Sequence, residues 1–418
     1  MAAHVAQAGH STYRSRSVRA RHSCREAAGE QLIAGVLDAV PAMAVYAVVR
    51  LTGLGVLWLA CLATGADLGE RLLRYDARWL LQIAQGGYDT EIRYDPAGRP
   101  QILNAAFFPL LPVLVRAVST LTGLSAPAAG NVVVAAGGFA AAAGIDRVGR
   151  LLAARRAPHG RERRTGLVLV ALWASWPHAV VLTMVYTEAL FVALAAWALL
   201  CVLTGRWWTA GVLALLAGAT RPTGTALAAA VCLAAAVEVV RRRRGPHPPG
   251  ARGVAAPVAA ALLAPAGFVA YWWWLGRAMG RPDAWFHVQR VAWGSTFDGG
   301  RYQWEATVRA FTGQAPPVLV ACAVVVLLCV ALLGVLAAWR VPPPVLAYSA
   351  LVVLAAVGSA GYSQSKPRFL LAAFPLLLPP ARALAAGPAR PVALALGAVA
   401  VLSACYGAHL LLVWPLSP

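Results

Sequence analysis

"ERLLRYDARWLLQIAQGGYDTEI" occupies residues 70–92 of a 418-residue chain. It crowds acids and arginines together with Tyr, Trp and Gln, directly after an apolar segment. The rest of the chain differs: 60% of all residues are hydrophobic, 12% are charged, and the mean hydropathy is +0.66. Such a composition holds too few polar residues to cover a soluble surface. Apolar stretches of about 20 residues recur before and after the quoted segment, each long enough to cross a hydrocarbon core. A backbone in lipid must satisfy its own hydrogen bonds, so these stretches are expected to be helices. The chain reads as an all-α polytopic membrane protein, with residues 70–92 in a loop at the membrane surface.

The formal net charge is +20. The arginines fall in short runs between apolar stretches: "YRSRSVRARHSCR" (13–25), "RRAPHGRERR" (155–164) and "RRRR" (241–244). Such runs mark cytoplasmic loops. A nucleic-acid binder would instead carry them on a polar module with base-stacking aromatics, and none is visible, so no nucleic-acid partner is expected. Membrane lipids with anionic head groups are the expected neighbours. The seven cysteines form no CxxC pair and read as buried thiols. Residues 1–30 are expected to be a basic, disordered cytoplasmic tail and 31–418 a single transmembrane domain.

With the N-terminus cytoplasmic, 65–126 becomes the first outside loop. "AAFFPLLPVLVRAVSTLTG" (105–123) carries Pro109, Pro112 and a central Arg116. If it crossed, the following span (127–151) would leave Arg155–Arg164 outside, against the charge bias. It is therefore expected to be a juxtamembrane helix. The first span is expected to start near Pro41. Further spans follow near 166–185, 187–204, 207–220, 222–240, 254–275, 314–339, 343–360, 368–386 and 391–413, about eleven in all. Residues 276–313 form the second outside loop.

Sixteen acids exist, six of them within 65–104. Solvation of the loop explains most. Asp76 differs, because it precedes "ARWLLQIAQ", in which Trp79, Leu80, Ile83 and Ala84 share one helical face. At or near the N-cap, its carboxylate either caps the helix or serves as a base toward a hydroxyl. Glu188 enters an apolar helix at the outside end of a span, as a functional acid or a cap. Arg221 in "GATRPTG" (218–224) and Lys366 and Arg368 in "GYSQSKPRFLLAAFPLLLP" (361–379) put cations on the outside face, against the bias. They suit a phosphate or pair with the outside acids. Asp89, Glu91 and Asp95 read as a solvated loop, so no metal and no cofactor is expected. Trp285, Trp293, Tyr302 and Trp304 either stack on sugars or form an interfacial belt. His287 reads as a solvated loop residue.

"YDARWLLQIAQGGYD" (75–89), "NAAFFPLLPVLVR" (104–116), "YTEALF" (186–191), "TRPTG" (220–224) and "KPRFLLAAFPLLLP" (366–379) resemble, in this order, blocks of the second mannosyltransferase of GPI-anchor synthesis and its bacterial relatives. These are polyprenyl-phosphate-sugar-dependent glycosyltransferases of the GT-C fold, and the resemblance runs from about residue 70 to 386. It implies that Asp76 is the catalytic base. Lys366, Arg368 and Arg221 are then the donor-phosphate residues. Tyr75, Arg78, Gln82, Tyr88, Phe108, Tyr186 and Glu188 are the expected substrate-binding residues. This chain has Tyr75 where the family usually has Trp, losing an indole donor. The implied activity is inverting transfer of a sugar, mannose by analogy, from a polyprenyl-phosphate donor to a glycolipid or glycan acceptor at the outer face of a bacterial plasma membrane. A transporter or flippase is the alternative, but it should show repeats and midplane polar residues.

Overall fold

Alanine- and leucine-rich stretches, interrupted mainly by Gly, Pro and charge runs, favour helix. The computed structural model describes residues 3–155, 160–245 and 250–418, with side chains from Ala34 onward except at 251. In chain order the α-helices are α1 (Ala3–Thr64), α2 (Leu68–Leu72), α3 (Asp76–Gly86), α4 (Leu110–Thr122), α5 (Ala126–Ala154) and α6 (Glu162–Ala174). Then come α7 (Glu188–Leu203), α8 (Trp207–Gly218), α9 (Gly224–Arg243), α10 (Ala251–Leu263), α11 (Ala266–Ala278) and α12 (Ala284–Val291). The last are α13 (Arg301–Thr312), α14 (Pro317–Ala338), α15 (Pro343–Gly358), α16 (Lys366–Leu370), α17 (Leu378–Ala386) and α18 (Ala389–Leu412). No strand occurs among the described residues, only isolated bridges such as Phe297 to Ser359.

Among the described residues, six helical segments are long and apolar enough to cross a membrane: Ala34–Thr64, Ala126–Ala154, Gly224–Arg243, Arg252–Ala278, Pro317–Ala338 and Ala389–Leu412. The protein is therefore an integral, polytopic, all-α membrane protein. A pair bent by 76°, Ser363–Leu370 with Phe374–Ala386, makes a seventh if it is one broken span. By length and composition this falls short of the expected eleven. The helices α7, α8 and α15 have 16, 12 and 16 residues. At about 1.5 Å per residue they are shorter than a hydrocarbon core of about 30 Å. The segment expected to span 166–185 breaks after Ala174, ahead of Pro177, because the residue before a proline is driven out of helical geometry.

Two N-terminal expectations change. Pro41 lies inside α1 instead of at its start. The basic stretch expected to be disordered continues the same helix from Ala3, in a sequence with no proline before Pro41; Met1 and Ala2 lie outside the described residues. The helix α4, at 13 residues, is too short to cross, and Arg116 Nη2 reaches the Gln85 carbonyl at 3.4 Å, tying α4 to α3.

Close helix packing sets the site. Gly130, Gly137 and Gly144 recur every two turns along α5 on the side facing the chain at 185–197. A Cβ at Gly137 would lie 3.1 Å from the Leu190 backbone, so any larger residue there would push α7 outward by a few tenths of an ångström. That contact fixes Glu188 at the start of α7. The helix α9 begins just after Arg221 and ends in Arg241–Arg243, and its 20 residues separate these ends by about 30 Å. Similarly, α15 runs from beside Arg340 to Gly358, next to Ser359 and the loop that carries Lys366. One pole of the bundle holds the arginine-rich turns, and the opposite pole holds the residues described next.

Candidate functional site

The chain enters α3 through Tyr75, whose φ of 58° and ψ of −124° make the turn. Tyr75 is the N-cap, and Asp76 is the first helical residue. Of the two roles open to Asp76, capping is not found: its carboxylate Oδ2 lies 2.8 Å from Arg368 Nη1 instead. A full guanidinium charge outcompetes the weaker attraction of free N–H groups at a helix start. The Asp76 N–H donates to the Tyr186 hydroxyl at 3.3 Å. Ala77, Leu80, Leu81, Ile83 and Ala84 are buried, whereas Trp79 is half-buried, edge-on to Trp293 at 6.3 Å between centroids.

Glu188 is the first residue of α7, and neither it nor Thr187 caps that helix through its side chain. Its Oε1 lies 3.0 Å from Arg221 Nη1 and 3.5 Å from Arg368 Nε. The four charges form one chain, Asp76–Arg368–Glu188–Arg221. Arg368 also lies 5.2 Å from the Tyr186 ring and 5.0 Å from the Phe369 ring, and Arg221 lies 5.7 Å from the Phe191 ring. These rings hold the guanidiniums flat through cation–π attraction. Lys366 Nζ donates to Ser359 Oγ at 2.6 Å and to the Ser359 carbonyl at 2.5 Å. Among the described residues no carboxylate lies within 4 Å of it.

Asp76, Glu188, Arg221, Lys366, Arg368 and Phe108 all line one cavity of about 770 Å³. That volume lies within the range of about 300–1,000 Å³ usual for small-molecule sites. The Asp76 side chain keeps 17% of its surface exposed and Glu188 only 2%. Asp76 is thus the acid a ligand can reach, and Glu188 holds the arginines. Burial, the largest influence, raises the pKa of the Asp76 carboxyl above its ordinary value; Arg368 pulls it back, and Glu188 adds to the rise.

The remaining expected site residues do not line the cavity. Arg78 and Gln82 are exposed on α3, where Gln82 Nε2 reaches Asp89 Oδ2 at 3.4 Å. The Tyr75 hydroxyl donates to the Trp414 carbonyl at 3.4 Å. Tyr88 donates to the Phe107 carbonyl at 3.1 Å, and Tyr186 lies behind the ion chain. The second-loop aromatics divide. Trp285 and Trp293 line the cavity, but their indole N–H groups donate to the Ala106 and Leu103 carbonyls at 3.3 and 2.9 Å. Trp304 is exposed and outside the cavity. His287 is half-buried on α12, with Nδ1 buried and unpartnered. Other acids serve local backbone or pairs: Asp67 accepts from the Glu70 N–H, Asp298 from the Gly300 and Tyr302 N–H groups, and Glu305 pairs with Arg301. No cluster of three His, Cys, Asp or Glu side chains suited to a metal ion occurs among the described residues.

Several residues that shape the site carry no sequence signal. Asn104 is buried; its Oδ1 accepts the Asp89 N–H at 2.8 Å and its Nδ2 donates to the Gly87 carbonyl at 3.2 Å, closing the first loop. Trp176 Nε1 donates to the Pro367 carbonyl at 2.7 Å, and His178 Nε2 lies 3.0 Å from the Gln364 carbonyl. Together they grip the segment that bears Lys366 and Arg368. Ser417 lines the cavity and accepts from Arg368 Nη1 at 3.4 Å.

No family model matches this chain, and no curated protein or solved structure is significantly similar to it. The resemblance noted above rests on its short blocks alone.

Proposed function

We propose that this protein is an inverting glycosyltransferase that moves a sugar, mannose by analogy, from a polyprenyl-phosphate donor to a hydroxyl of a cell-envelope glycolipid or glycan. The observation that carries this reading is a reachable carboxylate, Asp76, in one cavity with three cations at the pole opposite the arginine-rich turns. The charge bias assigns that pole to the outer face, and the resemblance implies that the membrane is a bacterial plasma membrane.

In this mechanism an Asp76 carboxylate oxygen takes the proton from the acceptor hydroxyl. The freed oxygen forms a bond to the anomeric carbon as the bond from that carbon to the phosphate oxygen breaks, and polyprenyl phosphate leaves with the electron pair. Phosphate is a good leaving group, so cations suffice and no general acid is needed. Lys366, with no carboxylate within 4 Å among the described residues, is the first phosphate ligand. Arg221 and Arg368 each retain guanidinium donors beyond those held by Glu188 and Asp76. No metal or cofactor enters the scheme. The raised pKa of Asp76 strengthens it as a base, since basicity follows pKa.

The test is to incubate purified protein with radiolabelled polyprenyl-phosphate mannose and a membrane-lipid extract. A labelled product formed with release of polyprenyl phosphate supports transfer. Donor that crosses reconstituted vesicles without any labelled product supports the transporter reading and removes this one.

A further inference from the structure

We infer that α13 lies along the membrane surface at the pole of the candidate site, with Trp304, Val308 and Phe311 seated among lipid acyl chains. The helix has 12 residues, about 18 Å, too short to cross a hydrocarbon core of about 30 Å. The chain on either side fixes its place. Ahead of it, Phe297 pairs with Ser359 in an antiparallel bridge. The Asp298 N–H donates to the Gly358 carbonyl at 3.0 Å, and the Ala360 N–H donates to the Thr296 carbonyl at 2.7 Å. The helix therefore starts beside the end of α15, where Phe297 and Ser359 line the cavity of the candidate site. Behind it, residues 313–316 lead straight into α14, which is long and apolar enough to cross.

Three stripes run along α13. Gln303, Thr307 and Ala310, at i, i+4 and i+7, are buried against the bundle, and Gln303 Nε2 donates to Thr307 Oγ1 at 3.2 Å. Trp304, Val308 and Phe311 repeat that spacing one residue further on, and all three are exposed. Arg301, Glu305 and Arg309 make the third stripe: Glu305 Oε1 lies 2.9 Å from Arg301 Nε, and its Oε2 lies 3.6 Å from Arg309 Nη1.

A surface helix in water turns its apolar stripe inward and its polar residues outward. On two of its stripes α13 does the opposite, since it buries an amide and a hydroxyl and turns a Trp, a Val and a Phe outward. That order is favourable where the surroundings are apolar. The charged stripe beside the apolar one identifies lipid as the occupant, because a helix in the interface plane keeps one side in the acyl layer and a basic side in water. Tryptophan is the residue enriched where those layers meet. The chain also passes from this stripe into α14, whose Val324, Leu327 and Leu328 are exposed toward the same apolar phase. This seating is independent of the proposed transfer reaction.

The test uses the full-length protein carrying Cys24→Ser and Cys405→Ser, reconstituted in vesicles of dioleoyl phosphatidylcholine. Cys405 is exposed, whereas Cys61, Cys201, Cys322 and Cys329 are buried and Cys232 is half-buried. A nitroxide is attached at one position at a time through Trp304→Cys, Glu305→Cys, Val308→Cys, Arg309→Cys or Phe311→Cys, with the double-serine protein as the blank. Its collisions with oxygen, which concentrates in the acyl layer, and with a water-soluble nickel chelate are then measured. The oxygen-to-nickel ratio should be several-fold higher at positions 304, 308 and 311 than at 305 and 309. The same ratio at all five positions would mean that the stripe faces water, and would overturn the assignment. Shielding of 304, 308 and 311 from both reagents would also overturn it, since a protein surface such as a second copy of the chain then covers the stripe. Should one variant of the stripe fail to fold, the other two still report.

Discussion

Two acid pairs bridged by arginine sit at opposite poles of this protein, and they do different things. At the basic pole Arg150 Nη2 lies 3.0 Å from Asp38 Oδ2, and its Nε donates to Asp146 Oδ2 at 2.8 Å. Asp38 belongs to α1, and Asp146 and Arg150 belong to α5, so the cluster staples two helices. None of the three lines the cavity of the candidate site. At the other pole Arg368 joins Asp76 and Glu188, and all three line that cavity. The same chemistry therefore serves as a fastener between two helices at one pole and lines a ligand-sized cavity at the other. Arginine-bridged acids alone do not identify function; the cavity they line does.

The comparison breaks most sharply through Asp76. Asp76→Asn should lower sugar transfer by about 10²–10⁴-fold, the usual worth of a general base. Its stability should not fall. The folded pKa of Asp76 is raised, so the folded state binds this proton more tightly than the unfolded state. Stability from this group is full below the unfolded value of 3.8 and is lost as pH rises through the folded value. At neutral pH the charge is a cost that Asn removes. A melt of the variant at or above the wild-type midpoint, together with lost transfer, separates the two roles; a large drop in midpoint would make Asp76 a fastener too.

Arg150→Gln should do the reverse. It leaves Asp146 buried without its partner, a loss of about 3 kcal/mol for a broken buried pair, reduced on the half-exposed Asp38 side by solvent screening. Denaturant unfolding should show that loss while turnover per folded molecule stays at the wild-type value. A lost turnover without lost stability would dissolve the distinction between the poles.

A smaller effect concerns pH. The acid limb of kcat/KM should lie above the ordinary carboxylate range, because burial raises the Asp76 pKa. Glu188 contributes to that rise, so Glu188→Gln should move the limb to lower pH. A limb that stays in place in this variant would uncouple the two acids. The smallest effect is expected at Trp304, exposed and outside the cavity. Trp304→Ala should change transfer by less than about twofold, as for a surface side chain away from any site; a larger loss would return it to the substrate path.

Local pattern made much of this legible. The apolar stretches announced helices, "ARWLLQIAQ" announced α3, and the prolines and Arg116 of 105–123 announced a helix too short to cross. Counting spans from the basic N-terminus placed Asp76, Glu188, Arg221, Lys366 and Arg368 on one side. The number of full-length spans was not legible, because hydropathy reports how apolar a segment is and not where its helix breaks. The partners of those charges were not legible either. Whether Asp76 caps α3 or meets Arg368 depends on residues almost three hundred positions apart, and local propensity carries no information about that distance.

By itself, then, the amino-acid order determined a helical membrane protein with most of its acids set apart from its arginine runs, since hydrophobic burial acts on each segment in turn and the charge bias acts on each basic loop. Only the tertiary structure decided that Asp76 remains reachable while Glu188 is enclosed, that Asn104, Trp176 and His178 hold the loops in place, and that the arginine bridge of Asp76 and Glu188 lines a large cavity. Those outcomes depend on how helices pack, through contacts such as Gly137 against Leu190, and packing is a property of pairs of segments that no single segment encodes.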